Sequence, residues 1–187
     1  MRKLGVFESI SIDGYFKSTD GDVSWSHRAA QDAEFDKFIA DNASSGGELL
    51  FGRTTYEMMA SFWPTPAAAK QFPVVAKHMN EMPKWVASKT LRNPSWQNTR
   101  VLEGDLVTAV RKLKEQDGPS IAILGSGTIV AQLSSAGLID QYQLVVVPIV
   151  LGAGTTAFDG TKTMELQLVT TRAFKNGNVA LTYAKRS

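Results

Sequence analysis

Two glycine-bearing junctions hold the residues of this chain best suited to grip an anion. In the first, Ser120-Ile121-Ala122-Ile123-Leu124 runs into Gly125-Ser126-Gly127-Thr128, after which Ile129, Val130 and Leu133 recur at helical spacing. The pattern reads as strand, tight turn and helix. Glycine lets backbone N–H groups approach a ligand closely, and a helix N-terminus adds unpaired donors and partial positive charge. The guest that fits is a phosphate. The dinucleotide fingerprint G-x-G-x-x-G is incomplete, because Val130 stands where its third glycine belongs. Taken alone, Gly125 and Gly127 read better as the turn of an ordinary βα unit.

A second junction of the same grammar raises the functional reading. Glu48-Leu49-Leu50-Phe51 meets Gly52-Arg53-Thr54, and Thr54 with Glu57 spells the capping box that opens a helix. Arg53 is either a solvated surface arginine or a planar, permanently charged fork suited to a phosphate. Two such junctions fit a ligand with more than one phosphate better than either does alone. Ser88 and Lys89, at the exit of a strand-like run over 84–91, form either an ordinary loop or a further phosphate site. Asp13, in Ser11-Ile12-Asp13-Gly14, is either the residue of an Asp-Gly turn or a carboxylate at a strand end that orients a substrate or relays a proton.

The elements that must position these residues alternate between strand and helix. A strand is expected over 4–12, and a helix over 29–43 with Phe35, Phe38 and Ile39 on its inner face. Trp63-Pro64-Thr65-Pro66 ends the helix after Gly52, and a weakly helical stretch over 72–79 follows. Asp105 caps a helix with Leu106, Val110 and Leu113 on one face. Gly137 supplies the left-handed end of the helix after Gly127. The apolar run 143–150 reads as a strand covered on both faces, at the centre of the sheet. Stretches 165–171 and 179–183 flank Asn176-Gly177-Asn178 as a hairpin.

Composition narrows the classes. The 187 residues predict a single domain spanning 1–187. A net charge of +2 with scattered basic residues argues against nucleic acid as a partner. Cysteine is absent and only His27 and His78 remain as imidazoles, which speaks against a metal site. With no apolar run of membrane length, no membrane partner is expected and a cytoplasmic location is the default.

Strands alternating with helices, plus a terminal antiparallel hairpin, predict a three-layer αβα domain. The ordered set Ser11-Ile12-Asp13-Gly14, Gly52-Arg53-Thr54-Thr55-Tyr56-Glu57, Val86-Ala87-Ser88-Lys89-Thr90-Leu91, Gly125-Ser126-Gly127-Thr128, Gly137-Leu138-Ile139-Asp140 and Pro148-Ile149-Val150-Leu151-Gly152-Ala153-Gly154 resembles the dihydrofolate-reductase-like superfamily. Within it the chain is most similar to the C-terminal reductase domain of the riboflavin-biosynthesis deaminase/reductase, as a stand-alone member.

That resemblance implies a mixed, mainly parallel sheet binding NADPH along its strand ends. Gly52, Arg53 and Thr54 would contact cofactor phosphates, Ser88 and Lys89 the adenosine 2′-phosphate, and Gly125, Ser126, Gly127, Thr128 and Ile129 the pyrophosphate. Asp13 and Gly14 would lie near the nicotinamide and substrate, with Asp13 as the catalytic polar group and Trp25 as a further substrate contact. The implied activity is reduction of a small heterocycle, as in the 5-amino-6-(5-phosphoribosylamino)uracil step, and relatives are commonly homodimers. Folate reduction is the enzyme alternative, although the Pro-Trp motif is replaced by Val23-Ser24-Trp25-Ser26. A non-catalytic NADPH-binding or redox-sensing module is the other alternative. The zinc deaminase half needs P-C-x-x-C, which a chain without cysteine does not carry.

Overall fold

The computed structural model describes residues 1–27 and 30–186. The chain forms β1 (Leu4–Ser11), the short β2 (Lys17–Ser18), a 3-10 turn at Ser24–His27, and α1 (Ala33–Ser44). Next come β3 (Glu48–Gly52), α2 (Arg53–Phe62), α3 (Pro66–Gln71), α4 (Pro73–Glu81), β4 (Lys84–Ala87) and β5 (Thr99–Leu102). The remainder is α5 (Leu106–Glu115), β6 (Ile121–Leu124), α6 (Gly127–Ser135), β7 (Gln141–Val147), β8 (Gly154–Thr155), β9 (Leu166–Ala173) and β10 (Val179–Lys185).

Eight strands form one sheet in the order β5-β4-β3-β6-β1-β7-β10-β9, while β2 and β8 make a separate two-residue ribbon. The strands from β5 to β7 are mutually parallel, and β10 pairs antiparallel to both β7 and β9. Helices cover both faces, so the αβα, dihydrofolate-reductase-like architecture holds. On one face Leu4, Val6, Leu50 and Ile123 pack under Ile129, Val130 and Leu133 of α6 and Val110 and Leu113 of α5. On the other, Leu49, Phe51 and Val86 pack under Tyr56 of α2 and Met79 of α4. A third cluster joins Val145, Val147 and Ala180 to Phe35 and Phe38 of α1. Each fully buried side chain of this size contributes about 1.5–3 kcal/mol relative to exposure, so these layers dominate the fold's stability.

Chain direction opens a crevice in the middle of the sheet. From β3 the chain leads through α2 to β4 on one side, whereas from β6 it leads through α6 to β7 on the other. Connections that diverge on opposite faces leave a gap at the carboxyl ends of the two strands, where α/β proteins place ligands.

Local details differ from the sequence pattern for physical reasons. The strand expected over 143–150 stops at Val147 because Pro148 has no N–H to continue the ladder. It lies between β1 and β10, so β6 and β1, not β7, form the centre. β4 stops at Ala87, since the Ser88 hydroxyl accepts the N–H groups of Thr90 and Leu91 and turns the chain. Strand β5 and helix α3 carry too few residues for a periodic signal. Ala29, where the apolar pattern of the first helix begins, lies outside the described residues. The helix observed starts at Ala33, capped by Asp32 Oδ1 on the N–H groups of Glu34 and Phe35. The other carboxylate oxygen, Asp32 Oδ2, accepts the N–H of Asn176 in the hairpin turn at 3.1 Å.

Candidate functional site

Gly52 and the Gly125–Thr128 turn face each other across the crevice. The Ser126 hydroxyl accepts the N–H of Gly52 at 2.9 Å and donates to Thr55 Oγ1 at 2.7 Å. A Cβ at position 52 would stand 2.8 Å from Ser126 Oγ, so only glycine fits. Gly125 has φ +60 and closes on Thr55 Cγ2, which a Cβ would meet at 3.0 Å. Ser126 itself holds a left-handed backbone, φ 67 and ψ 67. Such a conformation costs a non-glycine residue about 1–3 kcal/mol. Two hydrogen bonds at about 1 kcal/mol net each offset it.

The helices that begin at these turns lack side-chain caps. α2 starts from Gly52 and α6 from Ser126, and neither receives a side-chain cap bond or an acidic residue in its first turn. The Thr54–Glu57 capping box does not form, because Gly52 takes the extended N-cap position and Thr54 already lies inside the helix. Glu57 instead accepts from Arg53 Nε at 2.7 Å. By contrast α1, α3 and α5 are capped by Asp32, Thr65 and Asp105. Helix N-termini left open beside each other concentrate donors and partial positive charge at the crevice.

Arg53 extends this surface toward β4. Its Nη1 donates to Thr90 Oγ1 at 2.6 Å, which brings Arg53 against the turn that carries Ser88 and Lys89. Beyond that turn a cavity of about 510 Å³ lies among Trp85, Leu102, Gly104, Asp105, Thr108 and Lys112. The Asp105 carboxyl is held below its usual range by the N–H and hydroxyl of Thr108, with Lys89 adding to the effect. Gly52, Arg53, Thr54, Ser88, Lys89 and Gly125–Thr128 therefore gather along the adjoining ends of β4, β3 and β6. Ile129 belongs to this group only through its backbone. Its side chain is 5 % exposed in the core, and its N–H donates to the Ser126 carbonyl at 2.8 Å.

Asp13 and Gly14 sit one strand further along, at the exit of β1. Asp13 Oδ1 and Oδ2 accept the N–H groups of Leu151 and Gly152 at 3.1 and 2.7 Å. The Ser11 hydroxyl, with these two donors, holds the Asp13 carboxyl below the usual carboxylate range. Asp13 is thus an ionised anchor for the loop after β7, not a poised acid. Trp25 corrects the sequence reading. It is 3 % exposed, packs against Val145 and Val147, and donates its indole N–H to the Asp22 carbonyl, so it belongs to the core and not to a substrate surface.

Sequence reasoning passed over Glu8. It lies in β1 opposite Leu144, buried, with Oε2 lacking a partner among the described residues. Burial pushes its carboxyl up to about 8, so it is mostly protonated at neutral pH. An acidic residue inside the apolar run Leu4-Gly5-Val6-Phe7-Glu8-Ser9-Ile10 is the signal that would have marked it. Among the described residues no cluster of metal-ligating side chains occurs, and no helix is long and apolar enough to cross a membrane.

An αβα domain of dihydrofolate-reductase-like architecture, with two open helix N-termini joined across its switch point, is the class that this fold defines. The chain belongs to the RibD C-terminal domain family, whose model matches residues 2–180. It is 25 % identical to the uncharacterized protein YyaP of Bacillus subtilis, over 97 % of this chain and 94 % of that protein. A crystal structure from Shewanella sp. PV-4 superposes with TM-score 0.79 at 21 % identity, covering 99 % of both chains. The diaminohydroxyphosphoribosylaminopyrimidine deaminase/5-amino-6-(5-phosphoribosylamino)uracil reductase of Thermotoga maritima superposes with TM-score 0.70 at 13 % identity, covering 99 % of this chain and 57 % of that one.

Proposed function

We propose that this protein is an NADPH-dependent reductase of a small heterocycle, related in reaction type to the uracil reduction for which the Thermotoga maritima relative is named. The observation that carries the reading is the Ser126 bridge, which sets two uncapped helix N-termini side by side at the switch point. One anion would satisfy one such turn; two turns in contact suit a pyrophosphate. Arg53 and Lys89, on the adjoining strand ends, suit the further phosphate that distinguishes NADPH from NADH. The cavity beside Trp85 and Asp105 is of a size to take an adenine ring.

A bound nicotinamide cofactor supplies the hydride. The chain's own residues orient and exclude water. Gly52 and Gly125 let the two turns close on each other, Gly127 makes room for the Phe16 ring and the Thr156 carbonyl, and Asp13 fixes the loop after β7 so that the mouth beside β1 keeps its shape. A homodimer in the cytoplasm goes with this proposal. Strand β9 supports the dimer, because seven of its eight residues are exposed and no strand covers its outer edge among the described residues.

The test is a thermal-shift and tryptophan-fluorescence titration with NADPH, followed by NADPH oxidation assays with aminouracil substrates and with dihydrofolate. Saturable stabilisation with turnover of an aminouracil is expected. No response to NADPH overturns the reading, turnover of dihydrofolate alone favours the folate alternative, and tight binding without any turnover favours a sensor.

A further inference from the structure

The turn that follows β4 reaches back to α2 through one hydroxyl. Thr90 Oγ1 accepts Arg53 Nη1 at 2.6 Å, while Arg53 Nε donates to Glu57 Oε1 at 2.7 Å. A guanidinium held at two of its nitrogens has lost its freedom to swing. The N–H groups left over, on Nη1 and Nη2, form a terminal fork with no partner among the described residues.

Hydrogen-bonding capacity at this turn remains mainly on the donor side. The Ser88 hydroxyl accepts the N–H groups of Thr90 and Leu91 at 3.2 and 3.0 Å, which fills both of its lone pairs and leaves its proton to give. Thr90 Oγ1, having accepted from Arg53, also keeps a proton to give. The Lys89 carbonyl between them already accepts from Arg92 Nη1 at 3.0 Å. Charged side chains in segments 52–57, 88–92 and 103–108 are Arg53, Lys89 and Arg92 against Glu57, Glu103 and Asp105. Glu57 is paired with Arg53, Asp105 is held by Thr108, and Glu103 lines the neighbouring cavity. These charges balance, so what suits an anion here is a set of donors that lack acceptors, not an excess of positive charge.

We propose that Thr90 sets the preference of this site for a 2′-phosphorylated dinucleotide: its hydroxyl oxygen aims the Arg53 fork, and its hydroxyl proton goes to the phosphate. This rests on the reductase reading, in which that phosphate lies between Arg53 and Lys89. A phosphate is rich in acceptors, and an aligned guanidinium grips it with two parallel bonds. The 2′-hydroxyl of NADH is a single neutral group and gains little from the fork. Without the Thr90 oxygen, Arg53 keeps only its half-exposed i,i+4 pair with Glu57, which is too weak to hold a guanidinium in one place.

Calorimetric titration of the parent, Thr90→Val and Thr90→Ser with NADPH and with NADH tests this. Valine keeps the shape of threonine and removes only the hydroxyl at an exposed position, so the fold should stand, as the melting temperature checks. Thr90→Val should weaken NADPH by about tenfold and leave NADH within about twofold, whereas Thr90→Ser should keep the parent's ratio of the two. In an Arg53→Ala background the valine substitution should weaken NADPH by less than about threefold, because the fork that Thr90 aims is gone. A parent that binds neither dinucleotide overturns the reductase reading and this proposal together. A parent that binds both alike overturns the proposal and leaves the reductase reading. With a parent that prefers NADPH, the proposal alone falls if Thr90→Val keeps that preference, if it weakens both dinucleotides equally, or if serine does not restore what valine loses.

Discussion

The Ser126 hydroxyl donates to Thr55 Oγ1 at a sequence separation of 71, and the same oxygen accepts the N–H of Gly52. One small side chain therefore locks two glycine-bearing turns into a single body. Its backbone is left-handed, so position 126 trades strain against those two bonds. Ser126→Ala keeps the strain and loses both bonds, and should cost about 1–3 kcal/mol of stability. Ser126→Gly loses the same bonds but relieves the strain, and should cost less. Urea denaturation of both variants checks the order; the reverse order would show that the left-handed backbone at 126 carries no strain, and two variants as stable as the parent would show that the bonds do not hold the turn.

On the proposed reading, Arg53 and Lys89 would separate the two nicotinamide dinucleotides. Removing either cation should weaken NADPH by about tenfold, near 1.4 kcal/mol for one charge-assisted contact, and NADH hardly at all. Fluorescence titration of Arg53→Ala and Lys89→Ala with both cofactors reads this. Equal losses for the two would detach these residues from the 2′-phosphate.

Asp13 anchors the β7 exit through two main-chain donors, away from the β3–β6 crevice. Asp13→Asn weakens that anchor and should lower kcat by an order of magnitude or more while NADPH affinity stays within about twofold. Unchanged turnover would remove Asp13 from the reaction.

Glu8 ties stability to pH. Its folded-state pKa of about 8 lies above the ordinary glutamate value of 4.5, so between those limits the folded chain holds a proton that the unfolded chain has released. The Glu8 contribution is therefore fully present below about pH 4.5 and is lost as pH rises through 8. At about 1.4 kcal/mol per pH unit the loss reaches a few kcal/mol at most. Glu8→Gln should flatten that part of the stability profile and raise Tm at pH 8 relative to the parent. Parallel profiles for the two proteins would refute the assignment.

In the proposed dimer, the β9 edge would be the surface for a second copy. Leu168 and Val169 are 50 % and 58 % exposed there. A lysine at Val169 puts charge on an edge otherwise free to pair. Sedimentation velocity should show a dimer for the parent and a monomer for Val169→Lys. A dimer in both would move the interface elsewhere.

Much of this architecture is visible in the residues themselves. The strand-glycine-helix junctions at Gly52 and Gly125, the Asp105 cap and the Asn176-Gly177-Asn178 hairpin are local signals, each written in a few consecutive residues. Contacts made at long range are not. Nothing near Asp13 reveals that Leu151 and Gly152 will bind it, and nothing around Trp25 tells which way an isolated aromatic in a polar loop will turn. The Thr54–Glu57 pattern misled because Gly52, two residues earlier, offered the extended backbone that starts a helix. Glu8 escaped notice because periodicity weighs a strand by its majority, and a single acid does not alter the count.

Asp32 acts on a residue near the other end of the chain. Its carboxylate starts α1 with one oxygen and secures Asn176 with the other. The last two strands are thus no detachable appendage: a nick or deletion at the hairpin tip would unfasten the first helix as well. Proteases that clip near residue 176 should release no trimmed, native-like remnant.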